Sequence, residues 1–296
     1  MINKSWIACN TCGADAFKEL SVVDGWHIGQ CSKCAQVYLN PMPFFEPSTD
    51  FSDMSLDFQY TRFQHEITPE VLAHDKTQFQ RHMKILSGYG NKKSTPGKFL
   101  DIGCGSGSSV RAAVDCGWEA IGVDIDTRLV ELGKEKLKVD LRNTSLLESG
   151  FEEEQFDFIR LRDVIEHLPN PYEVLQEVKR LLVPGGIALI ATPNEGSLTT
   201  QLRLLFGGSR ELVATVAPPH HVHGFTPSTL GLILQRAGMK IEHIGTTTPV
   251  DPLYVTTRNM QSADSKLHVL VWRIANALGK GSMLVSWVSK EKKSQR

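Results

Sequence analysis

The chain of 296 residues exceeds the usual size of one domain, which favours a large domain with a small additional module. Its composition is 41% hydrophobic and 22% charged, as in ordinary globular proteins. Since 32 basic residues almost balance 33 acidic ones, the net charge of −1 gives no sign of a strong polyanion binder.

The start of the chain and its cysteine content favour a cytoplasmic protein. The N-terminal MINKSWIACN lacks the apolar run of a secretory signal. We expect no transmembrane helix, because no stretch reaches about 18 consecutive apolar residues. Six cysteines in such a chain indicate thiols or metal ligands rather than disulfides.

Residues 1–43 contain two cysteine pairs of the form C-x-x-C, with 18 residues between the pairs. This spacing predicts a four-thiolate zinc ribbon in preference to a redox dithiol. Four thiolates leave no open coordination position, so the zinc would be structural and would stabilise a segment too short to bury its own core. The four proposed ligands are Cys9, Cys12, Cys31 and Cys34.

Residues 44–96 are interpreted as a linker and a cover helix. The first part, 44–66, shows no sustained hydrophobic period, whereas apolar residues at helical spacing predict a helix over Val71–Leu86.

From residue 97 to residue 296, strand and helix patterns alternate, which predicts a parallel sheet with helices on both faces. The predicted strands are Lys98–Ile102, Glu119–Val123, Val139–Leu141, Phe156–Leu161, Ile187–Ala191, Lys240–Thr246 and Ser282–Val288. The predicted helices are a segment ending near Cys116, Thr127–Leu137, Tyr172–Leu182 and Thr229–Ala237.

Two insertions, 196–227 and 249–280, interrupt this alternation and are expected to shape an acceptor pocket and a lid. The second contains a predicted helix, Leu267–Leu278. Core packing is the first interpretation of that helix, and a homodimer contact or a membrane contact are the alternatives.

The segment Asp101-Ile102-Gly103-Cys104-Gly105-Ser106-Gly107 joins the first predicted strand of this region to a helix. Glycines at every second position let the backbone approach a ligand closely. Asp124, at the carboxyl end of the next strand, is placed to accept two hydrogen bonds from ribose hydroxyls. The pattern therefore predicts a cofactor that contains a nucleoside.

Two cofactor classes use such an arrangement. Nicotinamide enzymes carry G-x-G-x-x-G, where a helix N-terminus faces a pyrophosphate. Here the spacing is G-x-G-x-G, and the carboxylate of Asp101 would repel a pyrophosphate. The same carboxylate suits the cationic amino acid end of S-adenosylmethionine (SAM), so the sequence favours SAM over NAD.

These residues resemble motif I of the class I SAM-dependent methyltransferases, and the chain is similar to methyltransferase family 23 with an N-terminal zinc ribbon. The similarity covers about residues 70–290 and continues through Phe156-Asp157-Phe158-Ile159, Asp163-Val164-Ile165-Glu166-His167-Leu168 and Leu181-Leu182-Val183-Pro184-Gly185-Gly186. It implies a doubly wound α/β fold, with a seven-stranded Rossmann-like sheet whose last strand is antiparallel.

The resemblance also implies roles for individual residues. The glycines would pack against the methionine part of SAM, Asp124 would hold the ribose, Ile125 would contact the adenine, and Asp163 would line the methionine side. The implied cofactor-binding set is Asp101, Gly103, Cys104, Gly105, Gly107, Asp124, Ile125 and Asp163. Similar ribbons precede the methyltransferase domain in bacterial enzymes, some of which act on sugars, which suggests a role in docking substrate.

Methyl transfer needs an acceptor held about 3 Å from the methyl group and often a base. His167 resembles a recurrent histidine of the family, with a structural bond to backbone as the alternative, and Glu166 is interpreted as a helix-start acid. His221 is a candidate base or an ordering residue of its loop. His221 and His223 could also share a metal, although no acidic third ligand lies nearby in the sequence. The catalytic candidates are His221, His167 and His223.

We expect a methyltransferase that acts on oxygen or carbon of a small molecule, such as a sugar, a glycan or a secondary metabolite. Three alternatives stay open: an RNA-directed methyltransferase that uses the zinc ribbon, a nicotinamide oxidoreductase, and a non-catalytic binding protein with the SAM fold. The neutral charge disfavours nucleic acid. The segment Arg162-Asp163-Val164-Ile165 also differs from the Asn/Asp-Pro-Pro-Tyr of nucleic-acid amino-methylating enzymes.

Overall fold

The structure is a computed structural model that describes residues 3–44, 67–89, 96–206, 215–247 and 273–291. It contains one seven-stranded sheet, a smaller four-stranded sheet and a two-stranded sheet. None of the helices in these ranges is long and apolar enough to cross a membrane.

The N-terminal segment is built from short strands joined by tight turns. They are β1 (Asn3–Ser5), β2 (Phe17–Val23), β3 (Trp26–Cys31), β4 (Val37–Leu39) and β5 (Met42–Phe44). β1 pairs with β5, while β2, β3 and β4 form an antiparallel meander. The two residues between β2 and β3, Asp24 and Gly25, both have positive φ, as a two-residue hairpin turn requires.

The large sheet has the order β12-β13-β10-β9-β6-β7-β8. Its strands are β6 (Lys98–Ile102), β7 (Glu119–Asp124), β8 (Asp140–Asn143), β9 (Phe156–Arg162), β10 (Leu182–Pro193), β12 (Lys240–Thr247) and β13 (Met283–Ser289). Only β13 runs antiparallel to its neighbours β10 and β12. This arrangement confirms the predicted seven-stranded sheet with its last strand antiparallel.

Helices cover both faces of the large sheet. They are α1 (Pro69–Tyr89), α2 (Ser108–Asp115), α3 (Thr127–Leu137), α4 (Pro171–Leu181), α5 (Leu198–Phe206) and α6 (Pro227–Arg236), with a 3₁₀ turn at Ile165–His167. Side chains cap the N-termini of α3 and α6. The Asp126 carboxylate accepts hydrogen bonds from backbone N–H groups in the first turn of α3, and Thr226 and Thr229 form a reciprocal capping box on α6.

Two apolar layers hold the helices on the sheet. On one face Phe79 of α1 packs edge-on against Phe99 of β6, which stacks on Phe158 of β9 at 5.1 Å between ring centroids. On the other face, buried side chains of α4 and α6 pack against β9, β10 and β13. Burial on both faces explains why β10 is almost continuously apolar.

The elements differ from the sequence prediction in places. β10 begins at Leu182 rather than Ile187, because Leu182 pairs with Phe156 before a bulge that contains Pro184-Gly185-Gly186. The first half of the predicted helix Leu267–Leu278, 267–272, lies outside the described residues, and 273–277 is helical. The division into 1–43, 44–96 and 97–296 stays a prediction, and so does the homodimer contact.

A two-residue strand, β11 (His223–Gly224), joins a loop of the large domain to the four-stranded sheet. It lies within the first insertion of the large domain, 196–227, but pairs with β4 and so completes the four-stranded sheet. The N-terminal segment is therefore attached to the loop that carries the predicted histidine cluster.

Candidate active site

The loop between β6 and α2 contains three glycines with φ of 68°, 53° and 80° at Gly103, Gly105 and Gly107. A Cβ on Gly103 would lie 2.3 Å from Val164, and one on Gly107 would lie 2.8 Å from Leu141. No described residue beyond its chain neighbours comes within 4 Å of a Cβ built on Gly105. Gly105 thus leaves an open surface on which a ligand can rest directly against the backbone.

Asp124 lies beside this loop at the end of β7. Its carboxylate accepts from the backbone N–H of Gly105 at 2.7 Å and from that of Asp126 at 2.9 Å. Burial raises the pKa of Asp124 above the ordinary value. Each oxygen retains a second lone pair, so ribose hydroxyls can still bind there.

Two neighbours extend the site along the edge of the sheet. Ile125 is 71% exposed, which leaves its side chain open to a planar ligand. The Asn143 amide donates to the Asp124 carbonyl at 3.1 Å, a neighbour that the sequence analysis did not identify. The pairing of β7 with β8, which sets Asn143 opposite Asp124, could have indicated it.

Asp101 is fully buried and paired with a cation. Arg160 stands directly opposite it in the β6–β9 ladder and donates two hydrogen bonds of 2.7 Å to the carboxylate. The Ser109 hydroxyl donates to the same group. The sequence sets the Asp101 carboxylate against the cationic amino acid end of SAM, whereas in the structure this carboxylate is buried and Arg160 balances its charge.

The two remaining predicted cofactor residues differ in exposure. The Cys104 thiol is buried against Gly122, so only the backbone of Cys104 is placed to meet a ligand. Asp163 directly follows β9 and has a φ of 55° and an almost half-exposed side chain. Asp163 is therefore accessible at the carboxyl edge of the sheet, where open α/β sheets bind ligands.

His167 and His221 come together beyond the carboxyl end of β9. Their rings meet edge to face with centroids 4.7 Å apart. Nδ1 of His167 bonds the His220 carbonyl at 2.9 Å, and Nδ1 of His221 bonds the Thr215 carbonyl at 2.8 Å. Because a carbonyl only accepts, each Nδ1 carries the hydrogen and each Nε2 keeps its lone pair.

Burial lowers the pKa of both imidazoles. Desolvation is the largest cause for each, and for His167 the neighbouring His221 ring adds to it. Both rings are consequently neutral at neutral pH, and each presents an Nε2 that can take a proton.

Glu166 is a member of this cluster that the sequence analysis underestimated. Its side chain is buried, Oε2 accepts from the Thr192 hydroxyl at 2.9 Å, and Oε1 has no hydrogen-bond partner among the described residues. Oε1 lies 3.9 Å from Nε2 of His167. Burial and, after it, the Asp163 charge raise the pKa of Glu166 well above that of an ordinary carboxyl group.

The geometry of this cluster gives a different set of candidate metal ligands from the one that the sequence indicates. The ligand atoms of Glu166, His167 and His221 lie within 4.8 Å of one another, close enough for one divalent cation. In the sequence, the candidate metal ligands are His221 and His223, with no acidic third ligand nearby. The fold instead supplies Glu166 and His167 from the turn after β9.

His223 does not join the cluster. Its imidazole is 2% exposed, stacks on Tyr38 of β4 at 6.2 Å, and lies 5.7 Å from the Phe225 ring. Burial lowers the pKa of His223 to about 4. The side chain therefore packs between the N-terminal segment and the large domain, out of contact with solvent.

The four cysteines of the N-terminal segment form a compact group of free thiols. The Sγ atoms of Cys9 and Cys34 are 3.6 Å apart, as are those of Cys12 and Cys31, and all four lie within 4.8 Å of one another. The arrangement is compatible with a single tetrahedral metal ion.

Comparison with known proteins identifies the large domain. A family model described as a methyltransferase domain matches residues 73–244, more than half of the chain. The chain belongs to this methyltransferase family. It is a SAM-dependent enzyme, as the resemblance of its motifs implied.

Individual relatives are distant. The enzyme is 28% identical over 178 residues to a probable SAM-dependent methyltransferase of Mycolicibacterium smegmatis, covering 60% of this chain and 65% of that protein. It is 25% identical over 228 residues to a ubiquinone biosynthesis O-methyltransferase of Cereibacter sphaeroides, covering 74% of this chain and 84% of that one.

Solved structures share the fold. The plantazolicin methyltransferase BpumL, solved with SAH, superposes with a TM-score of 0.54 at 19% identity and covers 82% of this chain and 92% of its own. A SAM-dependent methyltransferase from Archaeoglobus fulgidus gives 0.53 at 18% identity, covering 80% and 100%. These likenesses confirm the predicted Rossmann-like methyltransferase architecture.

Proposed function

We propose that this methyltransferase transfers the methyl group of SAM to oxygen or carbon of a small-molecule acceptor, with His221 as the base. The observation that carries the proposal is the pair of neutral imidazoles beyond β9, each with a free Nε2 lone pair. An imidazole suits the removal of a proton from a hydroxyl or an activated C–H at neutral pH.

The cofactor would rest on the open face of Gly105, with its ribose on Asp124, its adenine near Ile125 and its methionine part near Asp163. When bound, SAM supplies an electrophilic methyl carbon on a sulfonium. The chain's own part is to hold the acceptor beside Nε2 of His221 and to accept its proton there. The Nδ1–H bond to the Thr215 carbonyl keeps the ring in the tautomer that this step needs.

The class of acceptor is inferred from charge and from the relatives. The balanced net charge favours a small molecule over the RNA-directed alternative. The relative named as a ubiquinone biosynthesis O-methyltransferase supports methylation of oxygen on a small molecule. A sugar or glycan acceptor is retained from the resemblance to ribbon-bearing enzymes.

The four cysteines would hold one structural zinc ion. The support is the mutual proximity of four free thiols, two of them buried, in the short N-terminal segment. Because four thiolates fill the coordination sphere, the metal would contribute stability rather than chemistry.

The test is an acceptor screen that follows SAH release from SAM, starting with nucleotide sugars and phenols. With an accepted substrate, we expect His221→Ala to lower kcat by roughly 10²–10⁴-fold with little change in SAM affinity, since general base catalysis contributes about that much. His243→Ala, at an exposed histidine of β12, is the matched control.

Two outcomes would contradict this role. If the His221→Ala enzyme were as fast as the wild type, His221 would not be the catalytic base. A rate that needs added Mg²⁺ and falls with EDTA, while zinc is retained, would instead favour a cation held by Glu166, His167 and His221.

A further inference from the structure

The N-terminal segment and the candidate base are joined by backbone pairing. β11 begins two residues after His221 and pairs with β4, with His223 opposite Tyr38 and Gly224 opposite Val37. The Leu39 N–H also donates to the Val222 carbonyl at 3.0 Å. The position of this loop is thus set by the edge of the ribbon sheet.

Gln36 connects the first cysteine knuckle to the same strand. The Thr11 hydroxyl, inside Cys9-x-x-Cys12, donates to Oε1 of Gln36 at 3.1 Å. Nε2 of Gln36 donates to the Gly224 carbonyl at 2.9 Å and to the Val37 carbonyl at 2.8 Å. Thr11 and Gln36 are each 1% exposed, so water cannot readily replace these bonds.

Asn10, the other residue between Cys9 and Cys12, bonds the segment that follows His167. The Asn10 amide donates to the Pro169 carbonyl at 2.9 Å, two residues after His167. The Arg236 guanidinium donates to the Asn10 carbonyl and lies 3.9 Å from the ring centroid of Tyr172. One knuckle thereby bonds the His167 segment directly and the His221 segment through Gln36.

The loop that carries His221 is also hydrogen-bonded to Glu166 and His167. The Val222 N–H donates to the Glu166 carbonyl at 2.9 Å, and the His220 carbonyl accepts from His167. Val222 is also buried in the apolar core of the ribbon. Displacement of β11 from β4 would therefore move His220 and His221 relative to Glu166 and His167.

We propose that the ribbon is a positioning element for the proton-accepting histidine, and that Gln36 and Thr11 are the positioning residues that connect its first cysteine knuckle to the His221 loop. The assignment of His221 as base rests on the proposed function, whereas the mechanical link does not. The ribbon then acts on the enzyme's own loop, in addition to or in place of docking a substrate.

The experiment compares Gln36→Met and Gln30→Met in the full-length, zinc-loaded protein. Gln36→Met removes the bonds to Thr11 and Gly224 at similar side-chain length. Gln30→Met removes a ribbon-internal bond to the Ala35 carbonyl and is the matched control. Hydrogen exchange over 217–225 and calorimetric SAM affinity are measured for both variants.

We expect exchange over 217–225 to be at least about tenfold faster in Gln36→Met, with protection over 26–34 and SAM affinity unchanged. Gln30→Met should exchange in 217–225 as the wild type does. The ¹⁵N shifts of the His221 ring should move from the Nδ1–H tautomer toward a mixture in Gln36→Met alone, a change that a general loss of stability would not produce.

A second pair keeps the test decisive if Gln36→Met does not fold. Thr11→Val removes the hydroxyl that orients Gln36, and Thr11→Ser restores it. Faster loop exchange in Thr11→Val that Thr11→Ser reverses would support the link. Wild-type exchange and tautomer in both Thr11→Val and any folded Gln36→Met would overturn it. Since neither readout needs an acceptor, failure of the proposed reaction would be seen separately.

Discussion

Arg160 and Asp101 form an ion pair beneath the glycine loop with very little solvent contact, 15% and 1% of their side chains respectively. The pair stands at adjacent positions of two central strands and also engages Ser109 at the start of α2. It therefore fixes the helix start, the strand end and the loop between them relative to one another.

Removing one member of this pair should destabilise the enzyme more than removing both. Arg160→Met leaves a carboxylate buried without its cation, and we expect a loss of about 3–5 kcal/mol in the free energy of unfolding. The double variant Asp101→Leu with Arg160→Met should recover most of that loss. Urea unfolding measures both, and a single-variant loss below about 1 kcal/mol would contradict the expectation.

His223 provides a residue-scale test of pH dependence. Burial lowers the pKa of His223 to about 4, so between that pH and its ordinary value of about 6.5 the unfolded chain binds a proton that the native protein does not. Its contribution to stability is complete above pH 6.5 and is lost as the pH falls to about 4, by roughly 3 kcal/mol.

His223→Phe keeps a ring against Tyr38 but cannot titrate. We therefore expect this variant to lose less stability than the wild type between pH 6.5 and 4.5 in urea unfolding series. Stability curves that fall in parallel for the two proteins would show that His223 is not the group responsible.

At the scale of elements, hydrophobic period and turn residues were sufficient to predict every strand of the large sheet. They were insufficient for β11, because two residues carry no period and their partner lies almost two hundred residues away. The same limit applies to Glu166: its sequence position indicates a helix start, and only the packing of β10 against the turn places it against Thr192. Contacts that join distant segments are set by tertiary packing.

The N-terminal ribbon is predicted to bind zinc. We expect about one zinc ion per chain by elemental analysis, and we expect Cys9→Ser to abolish it, because three thiolates hold the ion far less tightly than four. Cys116→Ser, at a partly buried thiol of the large domain, is the matched control. Equal zinc content in both variants, or none in the wild type, would contradict the structural zinc site.

At the scale of the whole molecule, three predicted groups converge at the carboxyl edge of the sheet. The glycine loop and Asp124 lie at the ends of β6 and β7, and the histidine cluster lies beyond β9. The ribbon is fastened to the loop above this edge through β11. The order of the strands brings the proposed cofactor residues and the proposed base to the ends of neighbouring strands, although they are distant in sequence.

The most direct test of this arrangement is calorimetric titration of the zinc-loaded enzyme with SAM and, separately, with NAD. We expect micromolar SAM binding that Asp124→Ala weakens by at least about tenfold, because the ribose loses its carboxylate. Asp140→Ala, at an exposed aspartate of β8, should bind SAM as the wild type does. SAM affinity unaffected by Asp124→Ala, or tighter binding of NAD than of SAM, would contradict the proposed cofactor site.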